Sequence, residues 1–167
     1  GERALPLDEL WIGPGETAAD PRELLIRLDV PAQEPMTGSA YVRLEYRRQM
    51  EIAVVGVTAV VRLDAGSVSD ARVAITALAP TIRRVSEAEA ALIGSDGGDE
   101  ASAEAARAAA SGSSPITDVR SSAEYRSAMA NVIARRAIVV ALARARGEHV
   151  PIPASAATYA SVGGTST

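Results

Sequence analysis

The apolar positions of this chain change their period twice. In "ELLIRLDVP" (23–31) Leu24, Ile26, Leu28 and Val30 alternate with charged neighbours, the pattern of a half-buried strand closed by Pro31. The preceding "WIGPGET" carries Pro and Gly punctuation and reads as a loop, and the following "AQEPMTG" reads as a linker. From 40 to 78 the pattern is that of antiparallel sheet. "AYVRLEY" alternates poorly and is expected as a short edge strand. "IAVVGVTAVVRL" is rich in β-branched residues, "DAG" or "DAGS" has turn chemistry, and "VSDARVAITAL" puts Val73 and Ile75 on one face. A hairpin of 52–63 with 68–78 follows. Its first arm is apolar on both faces, which a buried helix would also show; the β-branched content and the turn decide for strand.

Beyond residue 86 the period becomes helical. "SEAEAALIG" begins with a serine and has Glu89 three residues on, a capping-box pattern, and stops at Gly94. "EASAEAARAAASG" is a helix by propensity, ended by Gly112. A last helix starts near Ser121 or Ser122 and runs to Gly147, with Tyr125, Met129, Val132, Ile133, Ala137, Val140 and Ala141 forming one apolar stripe. Arg144 and Arg146 lie in its final turn, where cations favour the helix dipole. Strands followed by helices predict an α+β domain: a small antiparallel β-sheet packed against a three-helix bundle. The Pro-, Ser-, Thr- and Gly-rich residues 148–167 are expected to be a flexible tail.

Composition narrows the chemistry. With 167 residues the chain can bury a core without covalent staples. It has no cysteine, which excludes disulfides, iron–sulfur ligation and thiol chemistry within it, and its one histidine, His149, argues against a protein-only zinc site. The net charge of −4 provides no basic field for nucleic acid. Every one of the 17 basic residues is arginine, and phenylalanine is absent, so Leu, Ile, Val and Ala must fill the core. No apolar run reaches the ~20 residues that span a bilayer, and no secretory leader pattern is present. A cytoplasmic protein is expected. Because the chain begins with Gly1 rather than Met, it is read as a piece of a longer one.

Local motifs for catalysis are missing: there is no GxGxxG, P-loop or nucleophile elbow. "GSDGGD" (94–99) could suggest a phosphate cradle or calcium loop, but its acids oppose phosphate and its ligand order is wrong for calcium, which favours a plain exposed loop. His149 sits in the tail without a positioned partner and reads as a solvated side chain. Of Arg135 and Arg136, one must lie beside the apolar stripe and cover it with its stem; Tyr125 reads as an anchor for the helix start. There remain "YRRQMEI" (46–52) and "APTIRR" (79–84), which both set arginines at strand boundaries. By spacing alone these are solvated strand ends as readily as a site.

Four stretches in order, "PRELLIRLDVP", "AYVRLEYRRQMEIAVVGVTAVVRL", "VSDARVAITALAPTIRRVSEAEAALIG" and "SPITDVRSSAEYRSAMANVIARRAI", resemble the C-terminal part of the FAD-binding medium subunit of molybdenum hydroxylases, a family that includes xanthine dehydrogenase and aerobic carbon monoxide dehydrogenase. The similarity covers about Leu5 to Arg146 and rests on the ordered set rather than on any one motif. It implies that residues 1–33 are the end of a preceding FAD-binding domain, and that 34–147 are the flavoprotein C-terminal domain. It implies a cytoplasmic enzyme in which a molybdopterin-containing large subunit oxidises substrate and 2Fe-2S clusters on a small subunit pass electrons to the flavin, which delivers them to NAD or another acceptor. This chain alone would bind FAD weakly or not at all, since the pyrophosphate-binding loops of the family lie upstream. The resemblance places Arg48, Glu51 and Ile52 beside the flavin, with Arg84 a further candidate. Glu51 stands where aspartate is usual, and Thr76 and Ala77 stand where relatives often carry glycines. The rival reading is a non-enzymatic interaction domain on the same frame, binding a partner protein through its helical face without cofactor.

Overall fold

The computed structural model describes residues 1–47 and 50–151. Its centre is a sheet of β3 (Thr37–Leu44), β4 (Val55–Asp64), β5 (Ser67–Thr76) and β6 (Arg83–Arg84), hydrogen-bonded in that order and antiparallel throughout. The expected hairpin is β4–β5, and strand wins over helix for its doubly apolar first arm. Ala65 and Gly66 both take positive φ, 47° and 86°, the geometry a two-residue hairpin turn needs to follow the strand twist. Cross-strand rows then build the buried face: Val42–Val57–Ile75, Ala40–Ala59–Val73 and Gly38–Val61–Ala71. A bulge between Arg62 and Leu63 brings Leu63 opposite Val68 and keeps both side chains in the core.

Three helices cover that face. They are α2 (Ser86–Leu92), α3 (Asp99–Ser111) and α4 (Ala123–Ala145), which at 1.5 Å per residue is about 34 Å long. α4 lies on β3 and β4 and packs against α3, while α2 bridges α3 and β5. The Ser122 hydroxyl accepts the Tyr125 N–H at 3.2 Å and caps α4. Its other end closes with Glu148 N donating to Ala143 O and Gly147 N to Arg144 O, around a Gly147 φ of 84°.

Several sequence expectations are corrected. "ELLIRLDVP" forms no strand and pairs with none of the described residues, and its alternating Leu24, Ile26, Leu28 and Val30 are all exposed. "WIGPGET" is not purely a loop: β1 (Trp11–Gly13) and β2 (Glu16–Thr17) form a minimal hairpin after a one-turn α1 (Leu7–Leu10). The edge strand starts earlier than expected, at Thr37. Helix α2 has no capping box: Ser86 is already helical, and Glu89 turns away to the sheet. The buried stripe of α4 matches from Ile133 onward and Met129 packs partly buried against the core, but Tyr125 and Val132 are exposed and Arg126 and Ala130 are buried instead. Arg136 is half-buried and Arg135 is exposed beside Asp99, as the stem-covering argument requires of such a pair. The tail expectation falls mostly on residues 152–167, outside the described residues.

Candidate functional site

Three connections meet where β4 begins and β5 ends: the β3–β4 loop (45–54), the stretch after β5 (77–82) and the segment before α4 (113–122). Arg126, in the second turn of α4 and 4% exposed, ties them together. Its Nη1 donates to Val54 O at 2.7 Å and to Ala77 O at 3.3 Å, and its Nη2 donates to Asp118 Oδ1 at 2.8 Å. The same Asp118 oxygen accepts the backbone N–H groups of Arg120 (2.8 Å) and Ser121 (3.2 Å). Tyr46 Oη in turn donates to Arg120 O. The β3–β4 loop is therefore held near both ends: Tyr46 at its start, Val54 at its finish.

Among the described residues of the loop, Glu51 and Glu45 are the enclosed charged groups, their side chains 14% and 15% exposed. Glu51 Oε1 accepts the Ile52 N–H at 3.0 Å, and its Oε2 lies 3.3 Å from Arg47 Nε. Arg47 Nη2 also donates to Met50 O at 2.9 Å. Met50 takes a positive φ of 50°; its side chain is 93% exposed and that of Ile52 60% exposed. The structure thus gathers Glu51 and Ile52 into one loop. Arg84 is not brought to them: it stands on β6, separated from β4 by β5, with Nε and Nη2 on the Glu89 carboxylate at 2.8 and 2.7 Å. Arg48 lies outside the described residues.

A carboxylate has about four acceptor positions, and among the described residues those of Glu51 meet the Ile52 N–H and Arg47, with the exposed apolar Met50 and Ile52 as its chain neighbours. That combination fits one flank of a flat heterocycle that carries an N–H, and it encloses no ring by itself. An open concavity lined by Arg144, Gly147, Glu148, His149, Val150 and Pro151 lies at the other end of α4. There Arg144 already donates to Ser39 O, Val150 O and Pro151 O, and His149 is exposed, as expected. No cluster able to hold a metal ion is found among the described residues, and no described helix is long and apolar enough to cross a membrane.

Electrostatics follow the geometry. Hydrogen bonds from the Arg120 amide, then the Arg126 guanidinium, hold the Asp118 carboxyl below its ordinary range against the opposing effect of burial. Burial, against the opposing charge of Arg43, raises the Tyr41 hydroxyl. A depressed carboxylate stabilises the fold above its unfolded value and loses that contribution as pH falls through the folded one. The stability difference between the wild type and Asp118→Asn is accordingly expected to be full at pH 7 and to shrink as pH drops below the ordinary aspartate value of 3.8. Urea midpoints of both proteins between pH 7 and pH 2.5 check this; a pH-independent gap would contradict it.

Ala77 supplies a second prediction. Its φ is 61°, a left-handed conformation that costs a non-glycine residue roughly 1–2 kcal/mol. Glycine would remove that strain but give back roughly 0.4–1 kcal/mol in unfolded-chain entropy. The net expectation for Ala77→Gly is stabilisation by about 0.5 kcal/mol, read as a raised urea midpoint with unchanged slope.

Sequence reasoning missed Arg126, the organising residue. Its only signal is that a strict 3.6-residue period in "AEYRSAMANVIARRAI" places residue 126, not 125, in line with Ala130, Ile133 and Ala137. Glu89 was visible as a residue but assigned to the wrong partner.

Comparison with known proteins bears on the same segment. A family model described as the CO dehydrogenase flavoprotein C-terminal domain matches residues 40–141. The carbon monoxide dehydrogenase medium chain of Hydrogenophaga pseudoflava is 35% identical over 144 residues, 86% of this chain and 50% of that protein. The 6-hydroxypseudooxynicotine dehydrogenase complex subunit alpha of Paenarthrobacter nicotinovorans is 35% identical over 147 residues, 87% of this chain and 49% of that one. A solved structure of carbon monoxide dehydrogenase from H. pseudoflava superposes with a TM-score of 0.81 at 38% identity, covering 85% of this chain and 49% of the other. The chain spans about half the length of the curated relatives it matches. By the extent of these matches, and by the sheet and helices just described, the chain belongs to the family of CO dehydrogenase flavoprotein C-terminal domains.

Proposed function

We propose that this chain is the C-terminal part of the flavin-carrying medium subunit of a molybdenum hydroxylase, and that its β3–β4 loop lies against one flank of the FAD. The observation that carries the reading is the loop itself: an enclosed Glu51 carboxylate, flanked in the chain by exposed Met50 and Ile52, in a segment matched by the flavoprotein family model. When bound, FAD supplies an acceptor for electrons arriving from iron–sulfur clusters and a donor to NAD or another acceptor. In this arrangement Glu51 accepts a hydrogen bond from the ring edge, Ile52 and Met50 exclude water from its face, and Arg47 holds the carboxylate in place. Arg48 and Arg84 are kept as cofactor candidates, Arg84 the weaker because Glu89 already engages it.

The same reading assigns the partners: a large subunit bearing molybdopterin and a small subunit bearing 2Fe-2S clusters, in the cytoplasm. It gives residues 1–33 to the preceding FAD-binding domain. The exposed apolar row Leu24, Ile26, Leu28 and Val30 supports this, because an alternating apolar row left uncovered by the described residues has the pattern of a strand completed by another domain. The family match favours this reading over a cofactor-free interaction domain.

The test is to express the chain with its upstream half and titrate FAD, following the visible spectrum and quenching of flavin fluorescence. Stoichiometric uptake by the longer protein, and little by residues 1–167 alone, is expected. A longer chain that takes up no flavin would falsify the assignment.

A further inference from the structure

Resting on that reading, we infer that Arg126, braced by Asp118, is the residue that positions the Glu51 loop for the cofactor: a positioning residue, buried behind the site and touching no ligand itself. The loop has two fixed points, and both lead to one network. Its exit is the Val54 carbonyl, on Arg126 Nη1 at 2.7 Å, and its entry is Tyr46, whose hydroxyl reaches the carbonyl of Arg120. Arg120 is itself set by Asp118, which takes its N–H at 2.8 Å while holding Arg126 Nη2 at 2.8 Å. The Val54 N–H closes the base of the loop on Leu44 O at 2.9 Å. Glu51 therefore sits three residues from a carbonyl that a buried guanidinium clamps.

The chemistry of the clamp favours placement over mere cohesion. A planar guanidinium donates in fixed directions, so two carbonyls from different connections and one carboxylate are locked at set mutual angles. The third contact, Ala77 O at 3.3 Å, draws in the strained residue after β5. Arg126 Nε stays buried without a hydrogen-bond partner among the described residues, an uncompensated cost. A lysine at this position keeps the charge but cannot hold all three directions at once.

The experiment uses the subunit with its upstream half and measures FAD dissociation constants for a double-mutant cycle of Arg126→Lys with Glu51→Gln. Each single change is expected to weaken FAD about tenfold, and the pair little more than either alone, because a carboxylate that is no longer placed has little left to lose. Far-UV circular dichroism and a cooperative urea transition accompany each variant. If Arg126→Lys does not fold, Tyr46→Phe takes its place in the cycle: Tyr46 is exposed, and the change removes only the other anchor of the loop. Additive losses, or a variant of the clamp that leaves FAD affinity and spectrum unchanged, overturn the inference. A wild-type subunit that takes up no FAD overturns instead the functional reading on which it rests, so the two failures are told apart.

Discussion

Gly38→Ala is expected to destabilise the domain by about 3 kcal/mol or more, a large part of the roughly 5–15 kcal/mol that holds a domain of this size folded. A Cβ placed on Gly38 would lie 2.0 Å from Ala141 O, 2.3 Å from Ala145 N and 2.9 Å from Arg144 C. All three are backbone atoms of the last turns of α4, so no side chain can rotate away. Relief requires α4 to lift off β3, and α4 is the helix that covers β3 and β4. Alanine also stiffens the unfolded chain, a gain of roughly 0.4–1 kcal/mol that does not offset the clash. Gly66→Ala is the internal comparison. A Cβ there meets nothing within 4 Å, but φ is +86°, so only backbone strain is at stake, about 1–2 kcal/mol. Urea unfolding followed by far-UV circular dichroism separates the two. A Gly38→Ala protein within about 1 kcal/mol of wild type would mean that helix and strand are not in the close contact described.

Gly38 also shows what the sequence does and does not reveal. It lies at the end of "AQEPMTG", which reads as linker, and nothing local announces a helix 105 residues later pressing on Ser39 O through Arg144. The β4–β5 hairpin was legible because its information is local: β-branched residues on both sides of a turn dipeptide. The three helices were legible for the same reason, from alanine propensity and glycine stops. What failed is where a local pattern has a tertiary competitor. The stripe of α4 was drawn through Tyr125 because a buried arginine looks implausible until Val54, Ala77 and Asp118 are known to converge on it. The alternation of 24–30 predicts a half-buried strand, but the segment is unpaired and exposed, because alternation cannot say which body covers it. The candidate loop was legible as charged punctuation before a strand. Its role came from resemblance, and its two ends are tied by Tyr46 and Arg126 across 74 and 72 residues of sequence, which no window contains.

The most informative of the misassigned residues is Glu89, and its removal carries the second large effect. The ladder between β5 and β6 joins Ala74 to Arg84 and Ile75 to Arg83, and then β6 gives way to α2. Val73 O still receives the Val85 N–H at 2.9 Å, but Val73 N has lost its strand partner in the core. Glu89 replaces it: Oε1 accepts Val73 N at 3.0 Å, with Arg84 on the same carboxylate. A buried amide without a partner costs about 1–3 kcal/mol, and a hydrogen bond to a charged group contributes about 1.5–3. Glu89→Ala should therefore cost about 3 kcal/mol. Arg84→Ala should cost only about 0.5–1 kcal/mol, since its side chain is 56% exposed, water screens the pair, and Val73 keeps its acceptor. Glu89→Gln, which retains a carbonyl oxygen for the amide, should recover about half of the loss. The order Ala, then Gln, then the arginine variant is the diagnostic, read from urea midpoints at neutral pH. Equal costs for Glu89→Ala and Arg84→Ala would show that the ion pair, not the closing of the β5 edge, is what Glu89 contributes. That outcome would also weaken Arg84 as a cofactor residue, because a guanidinium bound that tightly to its own fold has little freedom to turn toward a ligand. With the expected order, the Arg84–Glu89 pair is loose enough at the surface for Arg84 to keep a second role, and FAD affinity of the Arg84→Ala subunit then measures that role with the fold essentially intact.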